Sequence, residues 1–300
     1  MENNLVIIPN PLITNHPDAL TVSTWLIQKS PKTQKYYKRI VTELFLFLPN
    51  RPLAEMRTEE LILFLNVKCK SKSTKAVYKD VLGSLFSFAV KTGHLQKNIV
   101  TAIDRIKPEN RLYTKVLTRE QIEQMILKEP NDRNRLIIEL LYMTGIRVEE
   151  LAKLKLDSFR EIGSGSEQKI TMLVEGKGKK FRTLNVPPAT YEKLKSYWDE
   201  HNLFPEEYCL ISRKKNEGFS KSLTTTQIFR IIKAAAQNAG LSCSPSPHWI
   251  RHTSATHAIE NGAPIHVVQV SLGHESIKTT GKYLDIRPDK SIGAYLKPLK

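Results

Sequence analysis

Six residues in the second half of the chain have side chains that bind phosphate or transfer protons and phosphoryl groups. They are Arg147, Lys177, His248, Arg251, His274 and Tyr283. Arginine presents a fixed fork of donors that matches the oxygens of a phosphate. Histidine exchanges protons near neutral pH, and tyrosine is a nucleophile that forms covalent intermediates. Two arginines and a lysine would neutralise a pentacoordinate phosphorus without a metal ion, so the set predicts metal-free attack by a tyrosine on a phosphodiester.

The sequence around these residues is typical of turns and helix ends. Arg147 follows the helix-breaking Gly145, and Glu150 comes one helical turn later. His248 and Arg251 are three residues apart, which places them on one face of a helix. The other three lie in a Gly-Lys-Gly turn, in a Leu-Gly-His segment and nine residues beyond that histidine. Each motif alone is weak evidence, and only their order along the chain points to a single site.

The elements that must position these residues are mainly helical. Apolar residues recur with helical spacing from Thr21 to about Ile106, which predicts a compact domain of about four helices. Residues 107–111 are polar and contain a proline, as in an interdomain linker. Residues 170–186 predict two strands around the Gly-Lys-Gly turn. Further elements are predicted as a short strand at 208–212 and helices at about 222–239, 248–261, 264–272 and 276–284.

The charge balance favours a polyanionic partner. The 300 residues include 46 Lys plus Arg against 30 Asp plus Glu, a formal net charge of +16. Residues 1–110 hold 16 basic and 9 acidic side chains, and the remainder holds 30 and 21, so both halves are basic. Nucleic acid is the commonest partner of such a chain.

A short internal repeat supports contact with a nucleic-acid backbone. The pattern Ser-x-x-Thr-x-x-x-Tyr-Lys begins at Ser30 and again, 41 residues later, at Ser71. Each serine is a predicted N-cap, and a helix N-terminus ringed by lysines binds phosphate. The alternative is two ordinary capped helices with solvated faces. The candidate contacts are Lys32, Thr33, Lys35, Lys72, Thr74 and Lys75, with Lys179 and Lys180 in the second half.

Composition excludes several other classes of protein. With 40% hydrophobic and 25% charged residues the chain is typical of a globular protein of two domains. We find no apolar run of transmembrane length and no signal peptide. Three cysteines without C-x-x-C spacing favour a reduced, cytoplasmic chain. Cys243, His248 and His252 are zinc-ligand types, but the absence of a second nearby cysteine disfavours structural zinc, and no phosphate-binding Walker loop is present.

The ordered motifs resemble those of the tyrosine recombinases of the phage-integrase and Xer group. The resemblance covers about residues 20–290. It rests on Thr-Gly-Ile-Arg-Val-x-Glu-Leu at 144–151, Gly-Lys-Gly at 176–178, His-x-x-Arg-His-Thr at 248–253 with Ala-Thr-His at 255–257, and Leu-Gly-His at 272–274 followed by Tyr283.

The resemblance implies a role for each site residue. Tyr283 would attack the scissile phosphate to give a 3′-phosphotyrosyl enzyme, while Arg147 and Arg251 hold the non-bridging oxygens. Lys177 would protonate the leaving 5′ oxygen, with Lys179 and Lys180 as alternatives because a long loop at 161–168 precedes the turn. His248 would assist proton transfer, His274 would support the phosphate and Glu150 would orient Arg147.

The resemblance also implies the architecture and the partners. We expect a mainly α chain: an irregular leader at 1–18, a helical core-binding (SAM-like) domain at 19–107, a linker at 108–116, and a mostly helical catalytic domain with a small antiparallel β-sheet at 117–300. The family needs no ATP, metal or other cofactor, and it acts as a homotetramer on two double-stranded DNA sites. An accessory or activating protein is a further possible partner, and the cytoplasm, at the nucleoid, is the expected location.

Two rival functions stay open on sequence alone. A type IB-like topoisomerase or relaxase uses a similar set of residues. A DNA-binding protein whose catalysis has decayed would keep the fold and the charge. The Leu-Gly-His segment and the helical first domain favour recombination over the topoisomerase, and the complete set of six residues argues against the decayed binding protein.

Overall fold

The computed structural model describes residue 13 and residues 15–107, 115–163, 169–176, 180–216 and 219–273. Lys177, Lys179, His274, Tyr283 and the predicted helix at 276–284 lie outside these ranges, as do most of the leader and of the linker. By its internal contacts the chain divides into two compact units, Met1–Asn110 and Arg111–Lys300.

The first unit is helical, as its apolar periodicity predicts. Its helices include α1 (Ala19–Ile27), α2 (Pro31–Phe47), α3 (Thr58–Lys68) and α4 (Lys72–Lys91), with 3₁₀ turns at Leu53–Glu55 and Ile99–Ala102. Each buries one apolar face in a shared core that contains Trp25, Ile40, Phe64 and Phe86. Helix α4 ends with Lys91 in its last turn and Gly93 at φ +75° just beyond, a common arrangement at a helix C-terminus.

The second unit surrounds a small sheet with helices. Its elements include α5 (Arg119–Lys128), α6 (Asp132–Thr144), α7 (Val148–Leu151), β1 (Phe159–Ile162), β2 (Lys169–Glu175), β3 (Phe181–Val186), α8 (Pro188–Glu200), β4 (Ile211–Asn216), β5 (Phe219–Ser222), α9 (Thr225–Asn238), α10 (Pro247–Glu260) and α11 (Ile265–Leu272). Helix α6 lies at the centre, and its Ile137, Leu140 and Leu141 are fully buried. The expectation of a mainly α chain with a small antiparallel sheet is confirmed.

The principal sheet has three antiparallel strands in the order β1-β2-β3. Strands β2 and β3 are the predicted pair, with Glu175 opposite Phe181 and Val174 opposite Arg182. Strand β1, which pairs Phe159 with Met172, was not predicted, because four residues are too few to show alternation. No helix in the part of the chain that the structure describes is long and apolar enough to cross a membrane.

Candidate active site

Three arginines converge on the C-terminal end of α11. Arg182 Nε donates to the carbonyl of Ser271 at 2.8 Å, Arg251 Nη2 to that of Leu272 at 2.5 Å, and Arg147 Nη2 to that of Gly273 at 2.8 Å. The last carbonyls of a helix have no partner within the helix and carry the negative end of its dipole. The carbonyl oxygens of these three consecutive residues therefore bind one arginine each, from β3, from α10 and from the start of α7.

Arg147 is placed by the sharp end of α6. Gly145 adopts the left-handed conformation, with φ +59° and ψ +22°, and turns the chain into α7, which begins three residues later at Val148. A Cβ at Gly145 would lie 3.0 Å from Leu272 Cδ2, so the end of α6 packs closely on the end of α11. Arg147 is the N-cap residue of α7, and about one third of its side chain is exposed.

Arg251 joins the two helix ends. It projects from α10, is only 2% exposed, and donates through Nη1 to the carbonyl of Gly145 at 2.5 Å as well as to that of Leu272. One guanidinium therefore satisfies backbone carbonyls at the ends of both α6 and α11, and it lies beside Arg147 because their acceptors on α11 are consecutive.

Glu150 is the buried carboxylate of the cluster. Its oxygens accept hydrogen bonds from the backbone N–H of Arg147 at 2.8 Å, from Arg147 Nη1 at 2.9 Å, and from Arg182 Nη1 and Nη2 at 2.7 and 2.8 Å. Burial alone would raise the pKa of this carboxyl, but the hydrogen bonds and charges of Arg182 and Arg147 outweigh it and lower the pKa to about 2. Glu150 is therefore ionised at every physiological pH.

His248 lies one turn before Arg251 on α10. It keeps part of its surface in solvent, and its ring meets that of His252 edge to face at 4.1 Å. Partial loss of hydration, together with the nearby charges of Arg251, Lys115 and Arg147, lowers the pKa of His248 below 6.5. At neutral pH the imidazole is thus uncharged and can accept a proton.

The cluster has the electrostatics of an anion site. The guanidinium groups of Arg147 and Arg182 bind the Glu150 carboxylate, while that of Arg251 is held at the carbonyls of Gly145 and Leu272. Three cations against one carboxylate leave an excess of positive charge beside His248. Such an arrangement suits a phosphate whose negative charge grows during a reaction. Within the described ranges, no group of three His, Cys, Asp or Glu side chains could hold a metal ion, and Cys243 is a free thiol.

The other predicted site residues are distributed as follows. Lys177, Lys179, His274 and Tyr283 lie outside the described residues, although Gly273 directly precedes His274. Lys180 is described and exposed, and its carbonyl accepts the N–H of Gly176 at 2.7 Å.

Sequence reasoning did not single out Arg182. The alternation of β3 contained a signal that could have found it. Phe181, Thr183 and Asn185 are exposed, whereas Arg182 shares the opposite face with the buried Leu184 and Val186. An arginine on the buried face of a strand requires an anionic partner.

The internal repeat has the same contact between its serine and threonine hydroxyls in both copies. The Oγ of Ser30 lies 2.9 Å from Thr33 Oγ1, and the Oγ of Ser71 lies 2.9 Å from Thr74 Oγ1. Only Ser71 also accepts a backbone N–H, that of Thr74 at 3.1 Å. Near these N-termini, within the first two turns of α2 and α4, the side chains of Lys32, Lys35 and Lys72 are exposed.

Comparison with known proteins gives a consistent result. The model of the phage integrase family matches residues 115–290, more than half of the chain. A tyrosine recombinase from Pseudothermotoga lettingae is 31% identical over 83% of this chain and 84% of its own length.

Solved structures share the fold. The XerH site-specific recombinase bound to a palindromic difH substrate has a TM-score of 0.70 and 24% identity, over 84% of this chain and 76% of its own. A lambda integrase tetramer bound to a Holliday junction has a TM-score of 0.71 and 21% identity, over 91% of this chain and 78% of its own. At these identities the likeness is one of fold.

Proposed function

The chain belongs to the phage integrase family and is a tyrosine-type site-specific DNA recombinase, and from that premise we propose how its residues cut and rejoin DNA. The observation that carries the proposal is that Arg147 and Arg251 donate to consecutive carbonyls, those of Gly273 and Leu272. Two cations held side by side at this turn suit the two non-bridging oxygens of a single phosphate.

Cleavage exchanges one phosphate ester for another: the ester to the 5′ oxygen is replaced by an ester to the tyrosine oxygen. The phenolic oxygen of Tyr283 attacks phosphorus and gives up its proton to His248, whose lowered pKa keeps the imidazole ready to accept it. The bond from phosphorus to the 5′ oxygen breaks, and that oxygen takes a proton from Lys177, with Lys179 and Lys180 as the alternatives. His274 supports the phosphate. The product is a 3′-phosphotyrosyl ester of similar energy, so rejoining is the same step in reverse and requires neither ATP nor a metal ion.

The first unit would hold the DNA backbone. We infer that the N-termini of α2 and α4 contact phosphates through Lys32, Thr33, Lys35, Lys72, Thr74 and Lys75, since the positive ends of two helix dipoles and several lysines coincide there. Because a lambda integrase tetramer binds a Holliday junction, we also infer a homotetramer on two DNA sites. We expect the enzyme to act at the nucleoid, where its substrate lies. An accessory protein remains a proposal of the same kind.

Covalent trapping tests the proposal. The protein is incubated in EDTA with nicked duplexes made from the DNA that flanks its own gene, and the products are separated on a denaturing gel. We expect a protein–DNA adduct that is absent in Tyr283→Phe, because this change removes the nucleophilic oxygen and keeps the ring. Tyr295→Phe, which removes the hydroxyl of another tyrosine near the C-terminus, is the matched control and should retain the adduct.

The outcomes separate the alternatives. An adduct that persists in Tyr283→Phe would assign the nucleophile to another residue. DNA binding without any adduct in the wild type would support a decayed binding protein, and relaxation of supercoiled DNA without partner sites would support a topoisomerase. The relatives named above are recombinases, so the comparisons do not favour either alternative.

A further inference from the structure

Arg182 uses all three nitrogens of its guanidinium within the protein. Nη1 and Nη2 form a two-pronged ion pair with the two oxygens of Glu150, and Nε donates to the carbonyl of Ser271. The side chain is only 10% exposed. A planar fork is required for this pattern, because a lysine at the same place would offer a single point charge.

The Glu150 carboxylate, held by Arg182, in turn fixes the position of Arg147. It accepts both the backbone N–H and the Nη1 of Arg147, so its position fixes where that guanidinium points. Without Arg182 the carboxylate would stay buried with fewer donors, and burial would then raise its pKa. A protonated Glu150 would hold Arg147 less strongly.

Arg182 also supports the turn at the end of α11. A Cβ at Gly273 would lie 3.3 Å from Arg182 Cδ and 3.4 Å from Arg147 Nη1, so both arginines pack against the same glycine. The carbonyl of that glycine accepts Arg147 Nη2. Arg182 therefore touches both anchors of Arg147, the carboxylate and the turn.

We propose that Arg182 is a positioning residue for DNA cleavage, which holds Glu150 and the Ser271–Gly273 turn so that Arg147 presents its guanidinium to the scissile phosphate. This inference rests on the proposed function. Through Glu150, Arg182 links β3, the strand that follows Lys177 in the sequence, to Arg147 at the start of α7. The reacting phosphate thus depends on a residue that does not touch it.

The test compares Arg182→Met and Arg182→Lys with Arg119→Met. Arg119 is the matched control, because it pairs with Glu123 in the same unit but both side chains are mostly exposed. The rate of adduct formation is measured in a single turnover, with saturating protein and the nicked flanking-DNA duplex, across pH 4.5 to 8. We expect Arg182→Met to lose about 100-fold in rate, as for a reacting group misplaced by about 1 Å. Arg182→Lys should be slow as well, and Arg119→Met should stay within about twofold of the wild type.

Two readouts separate positioning from a loss of folding. In the wild type the rate should fall in acid as His248 becomes protonated. In Arg182→Met a second loss should add to it, because Glu150 takes up a proton more readily, and the rate should therefore fall more steeply with decreasing pH. In Arg182→Ala, millimolar guanidinium should restore part of the rate, whereas sodium at equal ionic strength should not. A variant that was merely unfolded would show neither effect.

The opposite results would overturn the inference. If Arg182→Met and Arg182→Ala cleave within twofold of the wild type with the same acid profile, Arg182 does not position Arg147. A wild type that forms no adduct would contradict the proposed function instead. The inference is then decided by unfolding in urea: Arg182→Met and Glu150→Gln should be strongly non-additive, and additive effects would reject it.

Discussion

Gly273 has two reasons to be a glycine: its backbone is left-handed, and two arginines of the site pack against it. Its φ of +59° is unfavourable for any side chain, and the space where a Cβ would lie is bounded by Arg182 and Arg147. Gly240, at φ +71°, has the same backbone requirement, but no atom lies within 4 Å of the corresponding position. Comparing substitutions at the two glycines therefore separates the free-energy cost of a left-handed side chain from the effect of displacing the two arginines.

We therefore predict different outcomes for Gly273→Ala and Gly240→Ala. Both should lower the free energy of unfolding by about 1–2 kcal/mol, the cost of a side chain in the left-handed region. Only Gly273→Ala should also slow adduct formation, by about tenfold or more, because Arg147 must shift. Thermal unfolding and single-turnover cleavage measure the two effects. Equal cleavage rates in the two variants would mean that Arg147 tolerates the displacement.

At the scale of elements, the two copies of the repeat differ in how they cap their helices. Ser71 stabilises the first turn of α4 by accepting the N–H of Thr74, whereas the Ser30 side chain accepts no backbone N–H at the start of α2. We predict that Ser71→Ala destabilises its helix start by about 1 kcal/mol. Ser30→Ala, the matched control, should have a smaller effect.

Hydrogen exchange of the full chain provides the measurement. Amides in the first turn of α4 should exchange faster in Ser71→Ala, while those of α2 in Ser30→Ala should change little. Equal acceleration in both variants would show that the serines stabilise their helices through the neighbouring threonine hydroxyls, which both copies share.

Helices and their ends were predictable because the signals are local. The apolar periodicity of the helices between Thr21 and Ile106 and the helix-breaking Gly145 act within a few residues. Glu150 was recognised as a partner of Arg147 because the two are one turn apart. Arg182 was missed because its carboxylate lies 32 residues earlier in sequence and its carbonyl 89 residues later. Such contacts exist only after the sheet and helices pack together.

At the scale of the whole molecule, the net charge of +16 predicts DNA binding that is strongly salt-dependent. If about 6–10 phosphates are contacted, affinity should fall by about 10³-fold or more between about 50 and 200 mM salt, because bound counterions are released. Lys35→Met and Lys72→Met should each reduce the slope of log K against log salt by about 1. Lys97→Met, an exposed lysine of the same unit outside both repeat copies, is the control. A slope that is unchanged in all three variants would place the DNA elsewhere.

The bond pattern of Arg251 has a consequence for how genes of this kind diverge. Its guanidinium ties the end of α6 to the end of α11, so the folded protein needs it whether or not DNA is ever cut. A duplicated copy released from selection for recombination would be free to lose its nucleophile but would still be selected to keep this arginine for as long as the protein is made. Because Arg251 serves both the fold and the phosphate, its retention in a descendant is not by itself evidence of recombination, and residues that contribute nothing to packing are the better record of surviving activity.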